Sequence, residues 1–72
     1  MRMTDFQTGW DVAGNDGRRI GTVKGVTPNY VLTARPGFAA DLYVPASHIA
    51  NVEHDTIYLN LTHDEALQMG WE

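Results

Sequence analysis

The 72-residue sequence contains no cysteine, no long apolar run and no basic residue after Arg35. Without cysteine the chain can form neither a disulfide nor a thiolate metal site. Its apolar runs are only a few residues long, whereas a membrane-spanning helix needs about 20 consecutive apolar residues. The first residues lead into no apolar segment of the kind found in secretory signals, so we predict a cytoplasmic protein without a membrane span.

Length and composition predict one folded domain over residues 1–72. Hydrophobic residues make up 43% of the chain and charged residues 19%, which is enough apolar material for a core. A chain of this size buries only a small core and has no disulfide to compensate. We therefore expect it to form a homodimer or to dock onto a protein partner.

Basic and acidic residues are distributed unevenly along the chain. Five basic residues stand against nine acidic ones, which gives a formal net charge of −4. An acidic protein argues against nucleic acid as a partner, because phosphates need a basic face. The basic residues all lie in the first half: Arg2, Arg18, Arg19, Lys24 and Arg35. An RNA- or ribosome-associated role, the alternative function, would require the last four to share one face.

The first half of the chain predicts strands. Residues 10–13 alternate apolar and polar side chains, and Asp16-Gly17 before residues 18–26 is typical of a hairpin turn. Gly21 and Gly25 interrupt the return strand, whose apolar residues are spaced by three rather than two. A bulge or a sharp bend at these glycines would restore the inward facing of the apolar side chains. Further strands are predicted over residues 30–34, 41–44, 51–53 and 56–61.

A short helix is predicted at the end of the chain. Thr62 and Glu65 have the spacing of a capping box, in which each side chain accepts a hydrogen bond from a free backbone amide. Gly70 is placed to stop the helix in the left-handed conformation, and Trp71 follows it. The whole pattern predicts a mainly β fold, a small antiparallel β-barrel of five or six short strands with one short C-terminal helix.

Four segments of the chain, taken in their order, can be compared with known families: residues 9–12 with 16–23, residues 42–49 with Val52, residues 55–61, and residues 62–71. This set resembles the PRC-barrel family, and its ending resembles the short stand-alone bacterial members of unknown function. The resemblance implies a single SH3-like domain that serves for binding or assembly. Relatives include the cytoplasmic part of the photosynthetic reaction-centre H subunit and the C-terminal domain of a ribosome maturation factor. No catalytic residue is implied.

Histidine and carboxylate side chains in the second half raise the possibility of a metal site. His48, His54 and His63, with Asp55 and Glu65, offer ligand types that zinc accepts. No two of the histidines have the spacing that brings ligands together on one helix or strand face, so scattered surface histidines are favoured and no cofactor is expected.

Enzymatic activity is not expected either. Ser47 and His48 are neighbours in the sequence, and neighbouring side chains rarely face one another as a nucleophile and its base must. The Gly-x-Ser-x-Gly turn of many serine hydrolases is missing from the sequence. A small-molecule binder would need a cavity that such a short core can hardly hold, so no substrate is evident.

Aromatic residues provide the candidate interface. Tyr43 and Tyr58 fall opposite the apolar positions of their predicted strands, Phe38 lies in a loop, and Trp71 lies near the chain end. Exposed aromatic side chains on a small protein favour a protein interface. We therefore predict a non-enzymatic protein-interaction or assembly module that self-associates through Phe38, Tyr43, Tyr58 and Trp71.

Overall fold

The computed structural model describes residues 5–72. The strands that it contains are β1 (Asp11–Ala13), β2 (Arg19–Val26), β3 (Tyr30–Ala34), β4 (Leu42–Pro45), β5 (Ile49–Glu53) and β6 (Thr56–Leu59). A 3₁₀ turn over Ala46–His48 joins β4 to β5, and helix α1 spans His63–Leu67. The mainly β prediction is confirmed, with strand ends that differ from the expected ones by at most two residues.

The six strands form one sheet in the order β4-β3-β2-β1-β6-β5. All neighbours are antiparallel except β1 and β6, which run parallel with Val12 opposite Ile57. Here the sequence expectation fails in two respects, because the sheet is not wholly antiparallel and does not close into a barrel. Strands β4 and β5 remain as its two edges.

Strand β4 is poorly suited to close the sheet for a physical reason. The Tyr43 amide points away from β3 and donates to the Trp71 carbonyl oxygen at 2.7 Å. The next position on that side of the strand is Pro45, which has no amide hydrogen. The outer edge of β4 therefore has no free N–H to offer another strand, which is one of the ways in which proteins protect sheet edges.

Two bulges in β2 reconcile its irregular apolar spacing with a single buried face. The pairing with β1 skips Ile20, and the pairing with β3 skips Lys24. Ile20 and Val23 are consequently both buried although they lie three residues apart. Each bulge lies next to one of the two glycines of the strand, Gly21 and Gly25, as the sequence predicts.

The core lies on one side of the curved sheet and beneath α1. Alternation along β6 buries Ile57 and Leu59 completely. Other strands contribute in the same way, and the helix adds Ala66, which is also fully buried. The cluster of buried apolar residues comprises Phe6, Val12, Ile20, Val23, Val31, Leu42, Val44, Ile57, Leu59 and Ala66.

The predicted capping box of α1 is confirmed. The Glu65 amide donates to the Thr62 hydroxyl oxygen at 3.2 Å, and the Thr62 amide donates to the Glu65 carboxylate at 2.9 Å. Gly70 has a φ of +75°, the left-handed conformation expected after the helix. Within residues 5–72 no helix has both the length and the apolar character that crossing a membrane requires.

Candidate functional site

The most exposed aromatic side chains lie on and beside edge strand β4. Tyr43 points outward between the buried residues Leu42 and Val44, and it is 47% exposed. Phe38, in the loop that leads into β4, is 59% exposed. The Tyr43 ring meets the ring of Tyr30 edge to face, with 5.2 Å between their centroids. This contact fixes the orientation of Tyr43 while leaving part of its ring open to solvent.

Trp71 reaches the same region from the end of the chain. After Gly70 reverses the backbone, the Trp71 carbonyl accepts the hydrogen bond from the Tyr43 amide. The indole is half-buried and lies 5.2 Å from the His48 ring. The structure thus joins the backbones of Tyr43 and Trp71 by a hydrogen bond. With Phe38 they form what we call the aromatic patch (Phe38, Tyr43 and Trp71).

Arg35 holds Phe38 in place, a role that the sequence does not reveal. Its side chain is only 6% exposed, and its Nε and Nη2 atoms donate to the Ala40 carbonyl oxygen at 3.3 and 3.1 Å. The guanidinium carbon lies 4.2 Å from the centroid of the Phe38 ring. Nη2 also lies 3.7 Å from the Glu72 carboxylate, so Arg35 joins the loop to the chain end. The only sequence signal was an arginine three residues before a phenylalanine, which is too common to be specific.

The fourth aromatic residue of the predicted interface, Tyr58, occupies another feature. It points outward from β6 and lines a shallow groove together with Asn51 and Asn60. Asn60 in turn accepts, through its Oδ1 atom, a hydrogen bond at 3.0 Å from Nδ1 of His48, whose ring packs on Trp71. The side chains of Asn60 and His48 therefore lie between this groove and Trp71. The sequence analysis also overlooked Met69, which is 46% exposed just after α1.

Each basic residue between residues 5 and 72 has a carboxylate partner. Lys24 contacts Asp41 at 3.0 Å, Arg19 contacts Asp11 at 3.6 Å and Arg18 contacts Asp64 at 3.8 Å. Arg35, the fourth, is buried and faces Glu72. Arg18, Arg19 and Lys24 are more than half exposed, but a neighbouring carboxylate offsets the charge of each. Since Arg35 is buried, the surface offers phosphate little net positive charge, which gives poor support to an RNA-binding face.

Asp64 is the carboxyl group whose pKa departs most clearly from its ordinary value. A hydrogen bond of 2.9 Å from the His63 side chain, aided by the nearby charge of Arg18, lowers the pKa of Asp64 below 3.8. We predict that this ionised carboxylate stabilises the fold above pH 3.8, and that its contribution is lost as the pH falls through the lowered pKa. Thermal melts of Asp64→Asn against the parent should differ at pH 6 and converge in strong acid.

The cause of the shift can be checked separately by NMR titration of the carboxyl carbons. His63→Ala should raise the pKa of Asp64 towards 3.8 by more than Arg18→Ala does, because the hydrogen bond is the larger cause. An Asp64 pKa that responds to Arg18→Ala alone would contradict this order. Because the Asp64 side chain is 72% exposed, added salt should weaken the contribution of Arg18.

The three histidines make different contacts. His48 bonds to Asn60 and His63 bonds to Asp64. His54 lies in the two-residue turn between β5 and β6, where it and Asp55 both have positive φ angles of 50° and 60°. In the part of the chain that the structure describes, no three histidine or carboxylate side chains converge as a metal site would require.

Residues 7–67 of the chain match the model of the family described as an uncharacterized protein conserved in bacteria, DUF2171. The chain belongs to the DUF2171 family. The resemblance to the PRC-barrel family is therefore wrong as an assignment, since the family match is to DUF2171 and no PRC domain is found. Two features suggested that family: an Asp-Gly hairpin, and a strand that ends in proline before a helical turn. Both are present, but they occur in a sheet that does not close.

No curated protein and no solved structure matches this DUF2171 chain. What the DUF2171 domain does must therefore be argued from its own surface. Two features stand out among the described residues: the aromatic patch beside β4 and the groove beside β6.

Proposed function

We propose that this DUF2171 chain is a non-enzymatic protein-interaction or assembly module that self-associates through the aromatic patch. The observation that carries the proposal is the exposure of Phe38 and Tyr43, two large apolar side chains at one end of the sheet. Exposed aromatic groups of this kind are enriched at protein interfaces and contribute strongly when they become buried. The occupant that we propose for the patch is a second copy of the chain.

The small size of the domain supports self-association. Few large side chains are fully buried, and nothing in a cysteine-free chain crosslinks them. A standard interface covers about 800 Å² of each partner. That is roughly a fifth of the 4304 Å² of accessible surface, so one face of the domain is large enough.

The mode of association follows from the state of the β4 edge. Because the Tyr43 amide is already bonded to Trp71 and Pro45 has no amide hydrogen, a second chain cannot readily add as a strand there. We therefore expect the two copies to pack through side chains. Arg35 assists by holding the Phe38 ring against its guanidinium, which lowers the entropy that the ring loses when it is buried.

Sedimentation equilibrium over about 1 to 100 µM tests the proposal. The parent should form a dimer, and the double variant Phe38→Ser with Tyr43→Ser should weaken the dimer by at least about 10-fold, since each interface aromatic contributes about 1 kcal/mol or more. His54→Asn removes an exposed ring outside the patch, keeps a residue that tolerates the positive φ of this turn, and serves as the matched control, which should dimerise like the parent.

Two results would overturn self-association. One is a parent chain that stays monomeric at about 100 µM. The other is a dimer whose strength is the same in the double variant as in the parent. Circular dichroism of each variant shows whether it remains folded, so a loss of dimer is not confused with a loss of structure.

The RNA- or ribosome-associated alternative has less support. It would need Arg18, Arg19 and Lys24 to bind phosphate; these side chains are exposed, but each already faces a carboxylate that offsets its charge.

A further inference from the structure

A second surface feature of the domain is a shallow open groove of about 410 Å³ beside β5 and β6. Side chains from three separate parts of the chain line it: Asn15, Asn51, Glu53, Tyr58 and Asn60. We infer that this groove is a binding site for a small neutral ligand rich in hydroxyl groups, such as a mono- or disaccharide. The inference is independent of self-association, because it rests on different residues.

The sheet itself gathers these side chains. Since Ile57 and Leu59 of β6 are fully buried, alternation turns Tyr58 and Asn60 to the opposite face. Asn51 of β5 lies directly opposite Tyr58 in the β5–β6 pairing. The backbone amide of Asn15 donates to the Leu61 carbonyl oxygen at 2.7 Å, which holds the β1–β2 turn beside the end of β6.

Most polar groups of the groove are available to a ligand. The side chains of Asn15, Asn51, Glu53 and Tyr58 make no hydrogen bond to another residue of the described range 5–72. Asn60 uses its side-chain oxygen with His48 and keeps its NH₂ group free. One concave surface therefore presents the complete side-chain amides of Asn15 and Asn51, the NH₂ group of Asn60, the Glu53 carboxylate and the Tyr58 phenol.

Charge and polarity restrict the class of ligand. The groove contains Glu53 and no lysine or arginine, so a phosphate or another anion would meet repulsion without compensation. The groove is open, and its amides and carboxylate lie beside Ala50 and Leu59, so a purely apolar molecule would stay largely in water and leave those polar groups without partners. Glu53 is its only charged ligand for a metal ion, and one carboxylate beside neutral amide oxygens would hold a cation weakly.

A neutral polyol matches the groups that remain. The side chains of Asn15 and Asn51 each offer a donor and an acceptor side by side, the arrangement that pairs with neighbouring hydroxyl groups, and the carboxylate accepts two more hydrogen bonds. The Tyr58 ring provides a flat surface for the C–H face of a sugar. The volume lies within the range of about 300 to 1,000 Å³ that small-molecule sites occupy, although the open shape predicts weak binding.

Titration of the ¹⁵N-labelled chain with glucose, trehalose and N-acetylglucosamine, each to about 50 mM, tests the inference by NMR. At least one sugar should shift the backbone and side-chain amide signals of Asn15, Asn51 and Asn60 in a saturable manner, with a Kd near 1 mM. Asn51→Ala should weaken that binding by about 3- to 10-fold, the amount expected for one or two lost hydrogen bonds.

Asn29→Ala is the matched control, because Asn29 is an exposed asparagine in the β2–β3 turn and does not line the groove. It should bind the sugar like the parent, and Tyr58→Leu, which removes the ring, should bind it more weakly. The inference fails if no sugar shifts the groove signals, or if inorganic phosphate shifts them when sugars do not. Sugar binding of equal strength in Asn51→Ala and the parent would also overturn it.

Discussion

Replacing Gly21 with alanine is expected to lower the free energy of unfolding by about 3 kcal/mol or more. Gly21 lies in β2 between β1 and β3, and a methyl group there would overlap the Ala34 carbonyl oxygen of β3. It would also lie 3.0 Å from the Ala34 carbonyl carbon and from the Thr33 side chain. The clash is with backbone, so relief requires β2 and β3 to move apart and not merely a rotated side chain.

The same strand provides a matched control for this prediction. At Gly25 a methyl group would have its nearest neighbour, the Leu32 Cβ atom, at the ordinary contact distance of 3.9 Å. Gly25→Ala should therefore leave stability unchanged or raise it by up to about 1 kcal/mol, because alanine restricts the unfolded chain.

Thermal melts followed by circular dichroism distinguish the two glycine variants. For a domain of this size each kcal/mol corresponds to about 4 to 8 °C, so Gly21→Ala should lower Tm by about 12 °C or more. Equal melting temperatures for the two variants, or a larger loss at Gly25, would contradict the close approach of β2 to Ala34.

Truncating Ile57 is the second change with a large expected effect. Ile57 is fully buried on β6, where Val12 of the parallel strand β1 and Val52 of β5 lie opposite it. Ile57→Ala removes three carbon atoms from a site walled on both sides by strands, so the cavity can collapse only in part. The expected loss is about 2 to 5 kcal/mol. A domain of this length has only about 4 to 11 kcal/mol in total, so the variant should be close to unfolding.

A graded series keeps this prediction testable even if the alanine variant does not fold. Ile57→Val removes one methyl group and should cost about 0.5 to 1.5 kcal/mol, measured by urea denaturation with an unchanged m-value. If Ile57→Val and Ile57→Ala were equally stable, the site could not be the tightly packed centre of the core.

Local patterns predicted the elements well because the forces that form them act over a few residues. Alternating side chains identified β6, Asp16-Gly17 identified the first hairpin, and the Thr62–Glu65 pair identified the start of α1. Each depends on contacts within four residues along the chain, which a sequence displays directly.

The candidate sites were predicted only in part. Exposure of Phe38 and Tyr43 followed from a loop position and from strand alternation, both of which can be seen in the sequence. The burial of Arg35 could not be seen, because it depends on the Ala40 carbonyl and on Glu72, which is far along the chain. The groove beside β5 and β6 was missed for the same reason, since Asn15 and Asn51 are brought to one surface only by the sheet.

The sequence by itself determined that this protein is a small, acidic, mainly β domain with short strands and a capped terminal helix. Only the tertiary structure decided which strands are neighbours, that β1 and β6 run parallel, and that the sheet stays open with Trp71 on its β4 edge. The physical reason is the distance along the chain over which each interaction acts. Turns, caps and alternation arise from adjacent residues, whereas strand order and closure depend on contacts between distant segments that no local pattern encodes.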